Sequence, residues 1–305
     1  MGSIFSLRNK MLETPEFIPS LTSVKTCFNY LNLLDFLSNQ SISHYMISAY
    51  DLYLYKDKVS DMSFVNPEER NTIFFMDSGA FEIHNNITSI KWNDDLLINT
   101  ALNFNPDILI SLDYISSENK VNLNKELENY EFIRKKLKDS NQFYSLVMHP
   151  TKTKDVSKFL NDLNIDKKLF SICIPERNLG FSFTKRIEKL KEIIKVIKDD
   201  YCFDQLLVHL MGCSYPSSII KYANLGIELF DGIHWQDMLY NPINNEFTDF
   251  SNLIDVNCKC KYCNEFKNNI NKSENFLEKY YMYYALSHNL YNYKLLMKKI
   301  RKEMK

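Results

Sequence analysis

Short apolar runs alternate along this chain with longer stretches in which apolar residues recur every three or four positions. The runs are rich in β-branched and aromatic residues, and near-continuous runs of this kind are typical of parallel strands that are covered on both faces. We therefore predict seven strands, over residues 44–49, 72–76, 107–112, 143–148, 169–174, 206–211 and 227–233.

Helical periodicity fills the segments between these runs. Three apolar stripes share this spacing: Leu127, Tyr130, Ile133 and Leu137; Val156, Phe159, Leu160 and Leu163; and Ile187, Leu190, Ile194 and Ile197. Pro216 suits the start of a further helix, and Gly226 suits its end. Repeated β–α alternation favours an α/β fold of the (β/α)8 barrel type, with an open doubly wound sheet as the alternative. No glycine-rich nucleotide-binding fingerprint supports that alternative.

The length of 305 residues allows one such barrel with a small appendix. We expect residues 1–250 to form the catalytic barrel. Residues 251–305 are expected to form a zinc-binding segment and a C-terminal helix packed on the barrel.

Composition and charge narrow the class of protein. A hydrophobic fraction of 45% with 25% charged residues is typical of a globular chain, and no apolar run has the length that spans a bilayer. Because 37 Lys and Arg nearly balance 38 Asp and Glu, binding of a nucleic acid would need a local basic patch. Seven cysteines without a secretory segment indicate reduced thiols, so we expect a cytoplasmic protein, or host-cytoplasmic if phage-encoded, with no membrane partner.

Acidic residues follow three of the predicted strands. Asp77 and Asp113 come directly after apolar runs, and Asp231 lies near the end of the last run. Chemistry in a barrel gathers at the C-terminal ends of the strands, where a carboxylate can act as nucleophile, general acid–base or acceptor for a ligand N–H. Each acid alone could instead cap the following helix. Together they predict a barrel enzyme with paired carboxylates, and on these residues alone a glycosidase is an equal candidate.

A cysteine cluster near the C-terminus predicts a metal site. Cys258, Cys260 and Cys263 lie within six residues, and His288 follows on a stretch with helical character. Four protein ligands of this kind would close a tetrahedral Cys3His site, which is typical of structural zinc. The remaining cysteines fall in or beside apolar segments and are expected in the core. Three histidines carry no spacing signal and are expected to have structural roles: His44, His84 and His209.

Five short motifs in order resemble the tRNA-guanine transglycosylase superfamily. They are Asp-Ser-Gly-Ala-Phe at 77–81, Leu-Met-Gly at 210–212, Leu-Phe-Asp at 229–231, Cys-x-Cys-x-x-Cys at 258–263 and His-Asn-Leu at 288–290. The resemblance covers the chain from about residue 70 onward. It implies a (β/α)8 barrel with a zinc-bearing C-terminal insertion, and an activity that exchanges guanine in a polynucleotide for a 7-deazaguanine without cutting the backbone.

The resemblance also implies roles for individual residues. Asp231 would be the nucleophile that attacks the ribose C1′, and Asp77 would be the general acid–base. Asp113 would accept N–H groups from the base. Further substrate-binding positions implied by the resemblance are Ser78, Phe81, Met148, His149, Ser171, Ile172, Glu176 and Gly212. Cys258, Cys260, Cys263 and His288 match the zinc ligands one for one.

Departures from the family pattern point to a particular branch. Met148 and His149 replace a Gln-Gly pair, Pro175 replaces a glycine, and the segment after Asp231 lacks the arginine of the tRNA enzymes. The chain is therefore most similar to the compact branch that inserts 7-deazaguanines, such as preQ0, into DNA. A duplex guanine would have to be flipped out, and Phe81, Trp235 or Tyr240 could stack on it or could belong to the core.

Several alternatives stay open at this level. One is a divergent enzyme that acts on tRNA, and another is a non-catalytic partner subunit of an active enzyme. A third is an unrelated barrel glycosidase with a structural zinc. Basic clusters at 259–261 and 298–302 could hold backbone phosphates or could be solvated surfaces. The resemblance also allows a homodimer, and a basic rim around the mouth of the barrel or a partner protein would supply the positive charge that binding of a polynucleotide needs.

Overall fold

Eight parallel strands form a closed barrel in the computed structural model, which describes residues 3–24, 26, 28–40, 42–60, 62, 70–85, 90–113, 123–150, 153–163, 165–200, 206–269 and 274–304. The strands are β1 (Ile4–Leu7), β2 (Lys10–Glu13), β3 (Glu16–Leu21), β4 (His44–Ser48), β5 (Ile73–Asp77), β6 (Ile108–Ile110), β7 (Phe143–Val147), β8 (Leu169–Pro175), β9 (Leu207–Met211), β10 (Leu229–Gly232), β11 (Leu239–Asn241) and β12 (Glu246–Thr248). The barrel order is β10-β3-β4-β5-β6-β7-β8-β9.

Helices surround the barrel. They are α1 (Tyr30–Ser38), α2 (Ala49–Val59), α3 (Ala80–His84), α4 (Asp94–Phe104), α5 (Leu123–Lys136), α6 (Thr153–Asp162), α7 (Phe183–Lys195), α8 (Pro216–Ala223), α9 (Lys261–Asn269) and α10 (Glu274–Glu303). The predicted α/β barrel class is confirmed, and all seven predicted strands are present with ends that differ by one or two residues. No helix in the described ranges has the length and apolarity needed to cross a membrane.

The first barrel strand is missing from the sequence prediction. β3 pairs with both β10 and β4 and closes the barrel, but it contains Pro19 and begins directly after Pro15. Proline lacks the N–H that a sheet needs, so a run with two prolines is not recognised as a central strand. Pro19 is accommodated near the end of the strand, opposite Gly232.

The hairpin β1–β2 covers one end of the barrel. Leu7 and Leu12 are buried against the side chains that fill the barrel interior, and Lys10 Nζ donates to the Thr72 carbonyl just before β5. Lys10 also pairs at 3.0 Å with Asp107, which is fully buried just before β6. Because these contacts lie at the N-terminal ends of the strands, the opposite, C-terminal end is the one left open.

Helix α10 completes the ring of helices and packs on β3, where the Tyr293 and Phe17 rings stack at 4.0 Å. The C-terminal segment has an apolar cluster of its own, which includes Phe266 and Ala285. Leu239 also belongs to this cluster although it precedes residue 251. The segment around the cysteines is thus tied to the chain that leaves β10.

Candidate active site and metal centre

A cavity of about 530 Å³ opens at the C-terminal end of the barrel. Within the described part of the chain, the acids that line it are Asp77, Glu82, Asp113, Glu176, Asp231 and Asp237. Arg177 and Arg186 contribute the positive charge, but each is paired with one of these acids, Asp113 and Glu176 respectively. The cavity is therefore suited to N–H donors and to developing positive charge, and is poorly suited to phosphate.

Asp231 is held firmly at the end of β10. Its Oδ2 accepts a hydrogen bond from Ser20 Oγ at 3.0 Å, and its Oδ1 accepts one from the Gly212 N–H at 3.1 Å. The imidazole Nε2 of His209 lies 3.0 Å from the same Oδ1. The side chain is only slightly exposed, so these three contacts fix the direction in which the carboxylate faces the cavity.

Asp77 occupies a different environment at the end of β5. Burial and the nearby charge of Asp231 raise the pKa of Asp77 to about 7, opposed by the backbone N–H groups of Ser78 and Gly79 and reinforced by the charge of Asp113. Its Oδ1 is buried and accepts no hydrogen bond from the described residues. A carboxyl group with this pKa can both give and take a proton near neutral pH.

Asp113 is held between two cationic side chains. Its Oδ1 lies 2.7 Å from His149 Nε2, and its Oδ2 accepts a hydrogen bond from Arg177 at 2.9 Å. The other ring nitrogen of His149 lies 2.8 Å from Glu126 Oε1. Burial lowers the pKa of His149, but the contacts with Asp113 and Glu126 outweigh it and raise the pKa to about 9. His149 is therefore cationic at neutral pH.

Glu176 follows β8 directly. Its Oε1 accepts hydrogen bonds from Arg186 at 2.8 Å and from the Tyr222 hydroxyl at 3.0 Å. Both partners come from the helices outside the barrel, α7 and α8. Glu176 is therefore held in a fixed position in the wall of the cavity.

The structure brings most of the predicted site residues together. Ser78, Phe81 and Gly212 line the cavity with the three aspartates and Glu176. Four predicted positions do not line it: Met148, His149, Ser171 and Ile172. His149 acts on the cavity only through Asp113.

The resemblance implied that backbone groups around Ser171 and Ile172 border the base, and the side chains of these two residues and of Met148 do not line the cavity. β8 extends through Pro175, so Ser171 and Ile172 are in mid-strand, below the opening. Ser171 donates to Ser145 Oγ in the barrel interior, whereas Ile172 and Met148 are buried between the strands and the helices. Successive residues of a strand point to opposite faces, which separates Ser171 from Ile172.

His209 and Ser20 are the contacts of Asp231 that sequence reasoning missed. Ser20 lies on β3, which was not predicted. His209 was predicted to have a structural role, and it is fully buried with its Nε2 3.0 Å from Asp231 Oδ1. The available signal was the period of two along β9, which places His209 on the same inward face as Met211 at the cavity.

The structure decides between alternatives that the sequence left open for the aromatic residues and for one basic cluster. Trp235 and Tyr240 are buried and cannot stack on a flipped base, whereas Phe81 does line the cavity. In the basic cluster at 298–302, Arg301 bonds to the Pro15 carbonyl and pairs with Glu16 at the start of β3. That cluster therefore lies at the end of the barrel opposite the cavity.

The Cys3His residues converge as predicted. Ligand atoms of Cys258, Cys260, Cys263 and His288 all lie within 4.8 Å of one another, and all four side chains are buried. His288 Nδ1 lies 3.0 Å from Cys263 Sγ and 3.5 Å from Cys260 Sγ. These residues are close enough to hold a metal ion.

Contacts around the cluster favour its ligand form. His288 Nε2 lies 2.7 Å from the Tyr240 carbonyl, which orients Nδ1 toward the sulfur atoms. The backbone N–H groups of Cys260 and Cys263 point at sulfur atoms of Cys258 and Cys260, both at 3.4 Å. Such donors stabilise thiolates, and a set of three thiolates with one imidazole fits zinc.

Comparison with known proteins does not assign the site. The chain matches no protein-family model, and no curated protein matches it. The geometry of the cavity and the motifs that surround it are therefore the indications of function that this chain offers.

Proposed function

We propose that this chain is a transglycosylase that exchanges guanine in a polynucleotide, DNA in preference to tRNA, for a 7-deazaguanine base such as preQ0. The main support for this proposal is that Asp77 and Asp231 line the same cavity in different environments. Burial raises the pKa of Asp77, whereas Asp231 lies beside the His209 imidazole. Two carboxyl groups whose surroundings differ in this way can divide into nucleophile and general acid–base. The motifs around both residues resemble those of the transglycosylase superfamily.

The reaction proceeds in two displacements. A carboxylate oxygen of Asp231 forms a bond to the ribose C1′ while the bond from C1′ to the guanine nitrogen breaks, and guanine leaves with that electron pair and takes the proton of Asp77. The incoming 7-deazaguanine then gives its proton to Asp77, attacks C1′ and expels the Asp231 carboxylate. Forming a covalent intermediate replaces one difficult displacement by two easier ones. A pKa of about 7 suits Asp77 to both proton transfers.

Asp113 supplies the recognition of the base. The side chains of His149 and Arg177 hold the Asp113 carboxyl group in place, and its oxygens can accept hydrogen bonds from the N–H groups of a base. Guanine and 7-deazaguanines share adjacent N–H donors on one edge, so a single acceptor can hold both the leaving and the incoming base. Phe81 and Glu176 would border the same pocket.

Two features support DNA as the polynucleotide. The segment that follows Asp231 along the cavity contributes Ile233, His234 and Asp237 and no arginine. The acidic interior also leaves phosphates outside, so a guanine flipped from a duplex would enter alone. Basic surface for the backbone would come from a second copy or from a partner protein, since no strong positive field is present on the chain.

Zinc is the metal that we propose for the Cys3His site. Four protein ligands leave no open position, so the ion would be structural and would stabilise the segment after β10. The residues that would hold it are separate from the cavity lining, and no step of the exchange involves them.

Base exchange can be measured directly. Protein is incubated with labelled preQ0 or guanine and with duplex DNA, single-stranded DNA or bulk tRNA, and incorporation is counted. We expect incorporation into DNA, none with Asp231→Asn or Asp77→Asn, and normal incorporation with Asp162→Asn, a matched change on the exposed end of α6. With Asp77→Asn, a covalent protein–DNA adduct should form slowly and persist on a denaturing gel.

The other outcomes identify the alternatives. Incorporation into tRNA alone would contradict the preference for DNA, and release of free sugar would identify a glycosidase. Absence of exchange and of adduct with every polynucleotide would contradict the proposed activity and favour a non-catalytic subunit.

A further inference from the structure

We propose that His209 is a positioning residue that keeps Asp231 ionised and thereby assigns the exchangeable proton of the cavity to Asp77. This inference rests on the proposed function for its catalytic meaning, but the charge relationship itself can be tested without activity. It concerns a residue that touches neither the cavity nor a substrate.

His209 lies directly beneath the proposed nucleophile. It is fully buried on β9, is paired in register with Leu229 on β10, and shares the inward face of its strand with Met211. Its Nε2 lies 3.0 Å from Asp231 Oδ1. The ring N–H does not point straight at that oxygen, so the contact is mainly electrostatic. A charged ring therefore matters more here than a well-aligned hydrogen bond.

The position of His209 offsets the repulsion among the carboxyl groups of the cavity. Asp77, Asp113 and Asp231 share one cavity, and neighbouring carboxylates in a site of low polarity resist ionising together. Arg177 is paired with Asp113, and Asp77 receives only backbone N–H groups. In the described ranges, His209 is the cationic partner found within 4 Å of Asp231. A cation beside one member of the pair makes that member ionise first.

The groups around the ring agree with a charged state. Cys173 on β8 lies 3.6 Å from His209 Nδ1, and Asp231 on β10 lies on the other side. Burial lowers the pKa of His209, but Cys173 and Asp231 outweigh it and raise the pKa to about 10. A proton on His209 therefore persists across the range in which Asp77 titrates, near pH 7.

A charged His209 would assist Asp231 in both displacements of the proposed reaction. An ionised Asp231 is ready to attack C1′, and in the second displacement the neighbouring imidazolium stabilises it as it leaves as a carboxylate. A neutral residue in place of His209 would let the shared proton move to Asp231, which would then be a poor nucleophile. Asp77 would at the same time lose its proton and its capacity to protonate guanine.

The first test needs no substrate. In the unsubstituted protein, ¹⁵N NMR of the His209 ring should show both nitrogens protonated at pH 7. Carboxyl ¹³C shifts at pH 6 should show Asp77 protonated and Asp231 ionised, and His209→Gln should exchange the two states. His44→Gln is the matched control, because His44 is also buried but lies at the opposite end of the barrel, beside the Phe17 carbonyl. A neutral His209 ring at pH 7, or unchanged carboxyl shifts in His209→Gln, would overturn the inference.

The second test uses base exchange. His209→Gln should lower kcat at least tenfold at pH 7 and move the acidic limb of its pH profile upward by one unit or more, while His44→Gln keeps the profile of the unsubstituted protein. A His209→Gln profile of unchanged shape would overturn the inference and leave the proposed function intact. If NMR shows that the protonation states of Asp77 and Asp231 swap in His209→Gln, but the unsubstituted protein exchanges no base, the proposed function is contradicted and the charge assignment stays intact. If His209→Gln does not fold, the ring measurement on the unsubstituted protein and the conservative His209→Asn variant decide.

Discussion

Asn289 holds the backbone of Tyr240 and so joins the helix that carries His288 to the segment that follows Asp231. Its Oδ1 accepts from the Tyr240 N–H at 2.8 Å, and its Nδ2 donates to the Trp235 carbonyl at 2.8 Å. The Trp235 indole in turn donates to the backbone carbonyl of Ser20, whose hydroxyl bonds to Asp231. The candidate metal site and the proposed nucleophile are thus connected by a short chain of buried hydrogen bonds.

Removal of the metal should loosen the segment around Trp235. Trp235 is fully buried, and the residues that hold it adjoin His288. We expect a chelator to shift the tryptophan emission to longer wavelength and to lower the Tm, and added Zn²⁺ to reverse both changes. Trp235→Phe should abolish the emission shift, since Trp92, the other tryptophan of the chain, bonds to the Ser78 carbonyl and not to this segment. An unchanged Tm on removal of the metal would contradict a structural role for the site.

Asn289→Ala should remove the hydrogen bonds that hold the backbone of Trp235, Met238 and Tyr240 and should leave metal binding unchanged. Asn289 is fully buried, and the substitution would leave one N–H and two carbonyl groups in the segment without their partner. We expect a loss of about 2–4 kcal/mol in the free energy of unfolding with metal content unchanged. Asn264→Ala on exposed α9 is the matched control and should change stability by less than about 0.5 kcal/mol. Loss of the metal from Asn289→Ala would show that the two features are not separable.

Asp77 should make stability depend on pH. Its pKa of about 7 in the folded protein lies above its value in the unfolded chain, so ionisation favours unfolding as the pH rises from about 4 to about 7. Asp77→Asn removes that penalty. We expect the variant to be more stable than the unsubstituted protein by about 1–3 kcal/mol at pH 8 and equally stable near pH 4, as measured by urea unfolding. A difference that is the same at both pH values would contradict a raised pKa.

The barrel could be predicted from the sequence because seven of its strands are buried on both faces and therefore apolar without interruption. The acids at the ends of β5 and β10 could be read from their position after those runs. β3 could not be predicted, because Pro19 has no N–H to donate to a neighbouring strand. Only the structure shows that Pro19 lies near the end of β3, opposite Gly232 on β10. Without β3, Ser20 could not be placed beside Asp231.

Long-range electrostatics was the other part that sequence could not supply. Nothing in the spacing of these residues reveals that His149 contacts both Asp113 and Glu126, because Asp113 follows β6, His149 follows β7 and Glu126 lies on α5. The same holds for His209 and Asp231, which are neighbours only because β9 and β10 pair. Their roles follow from the register of the barrel and not from any motif.

His149 should stabilise the protein below neutral pH and lose that effect in alkali. Its pKa of about 9 in the folded protein exceeds the ordinary value near 6.5, so its stabilising effect is complete below pH 6.5 and is lost as the pH rises through 9. We expect His149→Gln to reduce the free energy of unfolding by about 2–4 kcal/mol at pH 6, because Asp113 and Glu126 lose their buried partner. At pH 10 the cost should be much smaller. Equal costs at both values would mean that the ring is neutral in the folded protein.

Gly232, directly after the proposed nucleophile, is a position at which even one added methyl group should disturb the site. A Cβ at Gly232 would lie 2.5 Å from Ser214 Cβ, far closer than two carbons can approach, whereas a Cβ at Gly212 would meet no atom within 4 Å. Gly212 instead has φ +72°, which strains any residue with a side chain.

We therefore expect Gly232→Ala to cost about 2–4 kcal/mol and to displace Asp231. Gly212→Ala should cost only about 1–2 kcal/mol through the backbone. Because the clash at Gly232 is with the Cβ of Ser214, Ser214→Gly in the same chain should restore part of the stability and of the base exchange, whereas Ser214→Ala should restore neither. Stability is measured by urea unfolding and exchange by incorporation of labelled base. Equal effects of Ser214→Gly and Ser214→Ala on Gly232→Ala would contradict a steric origin and place the cause in the backbone of β10.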